Sequence, residues 1–292
     1  MRILVTGATG QLGSEVVDGF RRAGYEVLAP GHQELDLLQP EQAAASVGSL
    51  QADWVINCAG YTQVDKAESD AGSAFIVNRD SAGSLARAVA GYGGRLLQVS
   101  TDFVFDGAQR TPYRESDKPD PLGVYGQSKL EGEQAVMQAL PEAVVLRTAW
   151  VYGIRGHNFV KTMLRLALAG KPLRVVDDQT GTPTWARDIA SAIAVLVAAD
   201  ARGTFHYTNA GETSWHGFAC AILDEAAAVG FKVKTDDVTP IPTSAYPTPA
   251  TRPAYSVLNT DKIRPLLDGP IANWRERLKT MLQDLYSCAD CL

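Results

Sequence analysis

Ile3-Leu4-Val5-Thr6-Gly7-Ala8-Thr9-Gly10-Gln11-Leu12-Gly13 is the stretch whose reading decides the fold. The short apolar run Ile3-Leu4-Val5 reads as a strand buried on both faces. The glycines follow at once and open an amphipathic segment from Gln11 to about Arg22 that stops at Gly24. In that setting each glycine has a use. Gly7 permits the tight turn, Gly10 lets the backbone approach a pyrophosphate, and Gly13 lets the helix pack closely on the strand. The helix N-terminus offers unpaired N–H groups to phosphate oxygens. A strand, this turn and a helix in immediate succession predict a dinucleotide site rather than a merely structural glycine turn.

Outward from that turn, strand-length apolar runs alternate with helix-period segments. Tyr25 to Ala29, Asp53 to Cys58, Arg95 to Ser100 and Ala143 to Arg147 read as strands, with helices from Ala71 to Ala90 and from Gln127 to about Leu140. Serial βα units imply right-handed crossovers, so the fold class is α/β, a Rossmann-like doubly wound parallel sheet. Residues 1–155 are expected to form the dinucleotide-binding unit, and 156–292 a smaller, mostly C-terminal substrate-binding region. The stretch from about 187 to 210 is a candidate to return to the first unit. Helices are expected at Phe159 to Ala169, Arg187 to Ala199, Trp215 to Ala228 and 271 to 286, with a strand-like Tyr255 to Leu258. Between them, Thr239 to Pro253 holds five of the fifteen prolines. It reads either as a linker or as a stiff ordered loop over a site.

The 292 residues are 46% hydrophobic and 21% charged, enough to bury a sizeable core and unlike a disordered or fibrous chain. With 27 Lys+Arg against 33 Asp+Glu and a formal net charge of -6, no basic block suits a polynucleotide, and nucleic acid is not an expected partner. No apolar run approaches the roughly 20 residues that cross a bilayer. Nor does the N-terminus read as a signal peptide, since Thr6 and Gly7 interrupt its apolar run. The expectation is a cytoplasmic protein that does not enter membranes. Cys58 and Cys220 lie singly in apolar stretches and read as reduced core thiols. Cys288 and Cys291 have CxxC spacing, yet no His or second pair stands nearby to complete a metal shell, so they read as a solvated tail.

Tyr125 and Lys129 are one helical turn apart, so both side chains can face the same way. Ser100-Thr101-Asp102 closes the strand that precedes them, at the carboxyl edge of the sheet where an open α/β fold does its chemistry. Reducing a ketone needs a proton at oxygen while hydride reaches carbon, and a tyrosine with a pKa near 10 is a sluggish partner at neutral pH. Lowering that pKa by about 3 units takes roughly 4 kcal/mol. An ammonium about 4 Å away at an effective dielectric near 20 is of that order, so Lys129 is expected to tune Tyr125. Thr101 would add a hydrogen bond to the substrate oxygen or the phenolate.

The spacing GxxGxxG, rather than GxGxxG, resembles the extended branch of the short-chain dehydrogenase/reductase superfamily. The resemblance implies that Gly7, Gly10, Gln11, Leu12 and Gly13 cradle the cofactor and that Ala59, Gly60 and Tyr61 line it. Leu35-Asp36-Leu37 resembles the adenine-contacting segment, and Ser100, Tyr125 and Lys129 would border the nicotinamide end. At the end of the second strand, Pro30-Gly31-His32 offers no carboxylate before Glu34, which favours NADPH, with His32 near a 2′-phosphate, and leaves NADH open.

Further segments resemble the dTDP-4-dehydrorhamnose reductase family more closely. They are Ser100 to Gly107, Val124 to Lys129, Arg147 to Gly153, Asp178 to Thr184, Val64 to Glu68, and Pro242 to Ala250 with Arg252-Pro253. That resemblance implies NADPH-dependent reduction of the C4 ketone of dTDP-4-dehydro-β-L-rhamnose, the last step in making dTDP-β-L-rhamnose. Tyr125 would be the proton donor, Lys129 would hold the nicotinamide ribose, and Thr101, Asp102 and Trp150 would hold the sugar. Asn158 and Arg252 are candidates for the diphosphate side, since an arginine fork suits phosphate oxygens.

Two departures stand out. Phe103 replaces the tyrosine the family often has after Ser-Thr-Asp. Some members join as magnesium-bridged homodimers through glutamates. Glu15 matches one of these, yet Arg187 occupies a second position, which argues against Mg2+ here. The sequence leaves two other readings: a non-catalytic nucleotide-binding subunit of the methionine adenosyltransferase type, and a nucleotide-sugar epimerase or dehydratase. The intact Thr101, Tyr125 and Lys129 set favours an enzyme over the first. A single carboxylate at Asp102-Phe103 disfavours a dehydratase. Neither the thymine or uracil base nor the oligomeric state is legible.

Overall fold

A computed structural model describes residues 1–235 and 237–288. Five parallel strands, β1 (Arg2–Thr6), β2 (Glu26–Leu28), β3 (Trp54–Asn57), β4 (Arg95–Thr101) and β5 (Val144–Thr148), are joined by a sixth, Gly203–His206. In space the order is Gly203–His206, β5, β4, β3, β1, β2. The direction of chain progression reverses between β1 and β3, so the crevice of a doubly wound sheet opens there, beyond the carboxyl ends of both strands.

The pleat sends alternate residues to opposite faces. Ile3 and Val5 of β1 join Val16 and Phe20 of the helix Gln11–Arg22 and Ile189 and Ile193 of the helix Ala186–Ala198 in one core. Leu4, between them, faces Val47 of the helix Pro40–Leu50 and Leu85 and Val89 of the helix Ala82–Tyr92 on the other side. Later in the chain, the helix Ala186–Ala198 packs against Gln11–Arg22 and Gly203–His206 pairs with β5 as the sheet's sixth strand. A second core lies among the helices Phe159–Leu168, Trp215–Val229 and Trp274–Tyr286, centred on Leu164, Trp185, Phe218 and Leu282.

Differences from the sequence reading have local causes. The expected helix from Ala71 is continuous in direction but widens into a π-helical turn at Ile76–Ser81, which carries Asn78 toward the site. Tyr255 to Leu258 is not a strand, because its pairing is limited to single bridges at Tyr255 and Leu258. The proline-rich stretch is ordered: Val238–Ile241 pairs in parallel with Leu173–Val176, and Pro240 sits on this two-stranded edge, where a missing N–H is tolerated. Among the described residues no helix is long and apolar enough to cross a membrane. The Cys288 and Cys291 pair falls partly outside the described residues, whereas Cys58 and Cys220 are free thiols.

The helix Gln11–Arg22 closes on the turn after β1 at Gly13, where an added Cβ would lie 2.1 Å from the Gly7 carbonyl oxygen. Gly13→Ala is therefore expected to lose about 1–3 kcal/mol of stability. Gly19, on the same helix, would meet nothing within 4 Å, and Gly19→Ala is expected to gain about 0.5–1 kcal/mol. Chemical denaturation of the two variants checks the packing, and equal stabilities would contradict it.

Candidate active site

At the crevice, Gly7 adopts a positive φ of 63° that L side chains rarely take, and a Cβ there would stand 2.8 Å from the Ala59 backbone. The turns after β1 and β3 thus touch directly. Thr6 fastens them, donating to Asn57 Oδ1 at 2.5 Å and accepting from the Ala59 N–H at 3.2 Å. Gly10 is the N-cap of the helix Gln11–Arg22; no side chain caps it and its first turn holds no acidic residue. Bare N–H groups at that end suit an anion. Against them lies a cavity of about 420 Å³ walled by Gly7, Leu37, Ala59, Gly60 and Tyr61, with His32 and Asp36 at its rim. These residues fit the pyrophosphate and adenosine portions of a dinucleotide.

Not every predicted cofactor residue presents its side chain. Leu12 and Gly13 are buried in the helix–sheet contact, so only their backbone can serve. The Gln11 amide oxygen accepts from Asn158 Nδ2 at 3.0 Å, and the Ser100 hydroxyl turns to Glu133 Oε1 at 2.5 Å. At the ribose end, Glu34 folds back to accept from the Gly31 N–H at 2.8 Å, leaving His32, 80% exposed and 3.6 Å from Asp36 Oδ1, on the cavity wall.

Beyond β4, burial gathers the expected catalytic groups. Tyr125 sits in the first turn of the helix Val124–Ala139, which starts three residues before its expected onset. Its phenol is pushed up to about 12 by burial, opposed by a hydrogen bond with Thr101 and aided by the nearby Asp102 carboxylate. Lys129 is buried as well and brought down to about 8 by desolvation, with the Glu133 charge acting the other way. Its ammonium donates to the Val99 carbonyl at 2.6 Å. The expectation that this ammonium pre-acidifies the phenol is therefore corrected. Burial dominates the phenol and the ammonium is engaged by the end of β4, so Tyr125 is protonated at neutral pH. A protonated phenol is what a proton donor requires, and it still falls below a developing alkoxide in basicity.

Thr101 accepts from the Phe103 N–H at 3.2 Å and donates to Asp102 Oδ1 at 3.1 Å. Asp102 is raised to about 6 by burial, moderated by hydrogen bonds with Ser256 and Thr101, and its Oδ2 has no hydrogen-bond partner among the described residues. That oxygen is itself buried, so a sugar hydroxyl reaches it only when the side chain turns outward. Phe103 meets Tyr125 edge-on at 5.5 Å, so apolar packing stands where a hydroxyl was expected in the family. Trp150 has φ 46°, a strain of about 1–3 kcal/mol that structures hold mainly at functional sites. Its indole stacks on Trp215 at 3.5 Å and 7°, a contact of comparable size.

Two expected substrate contacts are redirected. Asn158 caps the helix Phe159–Leu168 through the Lys161 N–H at 3.0 Å and gives its Nδ2 protons to Gln11 and the Gly153 carbonyl, so its amide has no donor left for a phosphate. Arg252 turns its fork onto Asp65, at 3.0 and 2.8 Å, and onto Thr248 Oγ1 at 2.6 Å. It pins the proline-rich loop to the cofactor unit, and its guanidinium holds the Asp65 carboxyl below the usual range. The residues also do not fit magnesium. Arg187 itself lies between Glu15 Oε2 at 3.3 Å and Asp284 Oδ2 at 2.7 Å, a cation already on the chain.

Sequence reasoning missed the residues that orient this machinery. Glu68 accepts from the Val124 N–H at 2.9 Å and so caps the Tyr125 helix, whose own N-cap Gly123 has no side chain. Asn78 clamps Tyr61 through both its N–H and carbonyl, at 2.9 and 3.1 Å, and reaches Ser128 at 3.0 Å. Only Glu68, within Val64 to Glu68, lay in a segment the sequence had marked.

Residues 1–287 match the family model described as RmlD substrate binding domain. A dTDP-4-dehydrorhamnose reductase from Burkholderia thailandensis is 43% identical, over 98% of this chain and 100% of that protein. Another from Mycobacterium tuberculosis is 44% identical, over 96% and 92%. Among solved structures, a dTDP-4-dehydrorhamnose reductase from Bacillus anthracis in complex with NADP superposes with a TM-score of 0.91 at 34% identity, covering 97% of this chain and 99% of that one.

The Asp65–Arg252 pair has a direct test. Asp65→Asn and Arg252→Gln are each expected to raise the KM for the sugar substrate about 2- to 10-fold, with the double variant no worse than either. If Arg252 instead gripped phosphate itself, its loss would cost far more than that of Asp65.

Proposed function

Since the chain belongs to the RmlD substrate binding domain family, we propose that it reduces the C4 ketone of dTDP-4-dehydro-β-L-rhamnose to dTDP-β-L-rhamnose with NADPH, Tyr125 giving the proton. The observation that carries this reading is the gathering of Thr101, Asp102, Tyr125 and Lys129 at the end of β4, where a Cβ on Gly60 of the cofactor cavity would stand 3.7 Å from the Lys129 ammonium. This is the last step in forming that activated sugar.

The cofactor would lie on the bare N-terminus of Gln11–Arg22, along Gly7, Ala59 and Gly60, with its adenosine end in the cavity near Asp36 and Leu37. When bound, it supplies the hydride that reaches the carbonyl carbon. The chain's own part is to hold the ketone and complete the alcohol. Tyr125 hydrogen-bonds the carbonyl oxygen, joined by Thr101 once its hydroxyl turns from Asp102 Oδ1, and the Tyr125 proton moves onto that oxygen as negative charge develops there. Lys129, its ammonium turned to the Val99 carbonyl beside the cofactor cavity, would hold the nicotinamide ribose rather than set the acidity of the phenol. Asp102 accepts from a neighbouring sugar hydroxyl, and the Trp150 face, braced by Trp215, supports the ring.

A purely nucleotide-binding role would require no paired donor and ammonium. Lys129 is buried and Tyr125 partly so, at a desolvation cost that an inert scaffold has no need to bear.

With pure protein, NADPH and dTDP-4-dehydrorhamnose, loss of cofactor absorbance is expected. Tyr125→Phe should bind NADPH as the parent does and turn over about 10²- to 10⁴-fold more slowly. Equal turnover would remove Tyr125 from the reaction. His32→Asp is expected to move the preference toward NADH, because a carboxylate bonds a free 2′-hydroxyl and repels a 2′-phosphate. An unchanged ratio of the two kcat/KM values would free His32 of that role.

A further inference from the structure

Beneath the reacting groups lies an ionic cluster that the reaction as described does not use. Glu133, 5% exposed, accepts from Arg147 Nε at 2.9 Å and Nη2 at 2.6 Å, and from the Ser100 hydroxyl at 2.5 Å. Lys129 is one helical turn before it, 8% exposed, and makes no ion pair among the described residues. Arg147 is thus paired with a buried carboxylate that stands one helical turn from a second buried cation. An ion pair that served only stability would be complete with Arg147 alone. Instead, Ser100 ties the same carboxylate to the strand residue that follows Val99, whose carbonyl receives the Lys129 ammonium.

We infer that Glu133 is a positioning residue that keeps the Lys129 ammonium protonated in its dry setting and holds the end of β4 in place beneath it. Helical spacing puts the two side chains on one face. Across one helical turn, with both groups withdrawn from water, opposite charges interact strongly enough to decide a lysine's protonation near neutral pH.

The other titratable groups around this ammonium do not replace Glu133. From β3, the Cys58 thiol is pushed up to about 12 by burial and is neutral. Tyr125, on the same helix, is protonated, and Asp102 lies beyond Thr101. From the π-helical turn, Arg79 is paired with Asp80 and Glu131. From β5, Arg147 is spent on Glu133. Behind it on the sixth strand, His206 is brought down to about 3 by burial and the Arg147 charge, and is neutral. Glu133 is therefore the anion acting on Lys129.

The consequence for turnover rests on the reductase reading; the charge relation does not. Carbon-labelled lysine in cofactor-free protein allows the Lys129 side chain to be titrated by NMR, its signal identified by its loss in Lys129→Arg. The parent midpoint is expected near 8. In Glu133→Gln it is expected to fall by at least about one pH unit. The alkaline limb of kcat/KM for ketone reduction should fall with it, because the cationic form is lost as pH rises through the midpoint. A midpoint that stays within about one unit of the parent's overturns the inference. Breaking a buried pair can prevent folding, so Glu133→Gln/Arg147→Met, which removes both charges as a unit, is titrated alongside; its midpoint is expected to fall by less, because a repelling cation goes too, and a midpoint at or above the parent's overturns the inference. Failure of the parent to oxidise NADPH would sink the reductase reading and leave the lysine midpoint where it is, so the two failures are distinguishable.

Discussion

A lysine ammonium withdrawn from water at the carboxyl edge of a parallel sheet is the constraint around which this molecule is arranged. Burying it is costly, and desolvation brings Lys129 down to about 8. The fold meets that cost from three directions. The Val99 carbonyl comes from β4, the Glu133 carboxylate from the next helical turn, and the Arg147 fork on β5 keeps that carboxylate in place. Each contact needs a different strand or helix in register, so the site exists only when the sheet does.

The same edge of the sheet serves two purposes that pull in different directions. A cofactor turn demands bare backbone, hence Gly7 and Gly13 where any Cβ would collide. A proton donor demands burial with satisfied neighbours. The π-helical turn carrying Asn78 joins the two regions, clamping Tyr61 on the cofactor side and Ser128 on the catalytic helix. The short helix Val64–Ala67 and the residue after it do the same for the two lobes. Asp65 holds Arg252 of the proline-rich loop, and Glu68 caps the helix that bears Tyr125.

What the sequence disclosed was whatever is local. The glycine turn, the strand ends and the one-turn spacing of Tyr125 and Lys129 are properties of a few adjacent residues, and the chain's fold and cofactor crevice follow from them. The helix Pro40–Leu50 was missed because its Ala, Gly and Ser residues bury only Ala43 and Val47, too few to mark a period. The sixth strand was missed because it is four residues long and ends in a buried histidine. Arg252 and Asn158 look like ligands for phosphate in isolation. Their partners, Asp65 and Gln11, are 187 and 147 residues away, and no local pattern announces them. The field on Tyr125 was misjudged for the same reason: spacing shows that an ammonium is near, but not that burial outweighs it.

Proton delivery to the ketone requires Tyr125 to be a loaded acid and not a pre-formed phenolate. Ultraviolet difference titration of the parent against Tyr125→Phe, from about pH 6 to about pH 10, measures that directly. No phenolate assignable to Tyr125 should form across that range, in keeping with a phenol pushed up to about 12. A Tyr125 ionisation with its midpoint near neutral pH would contradict it.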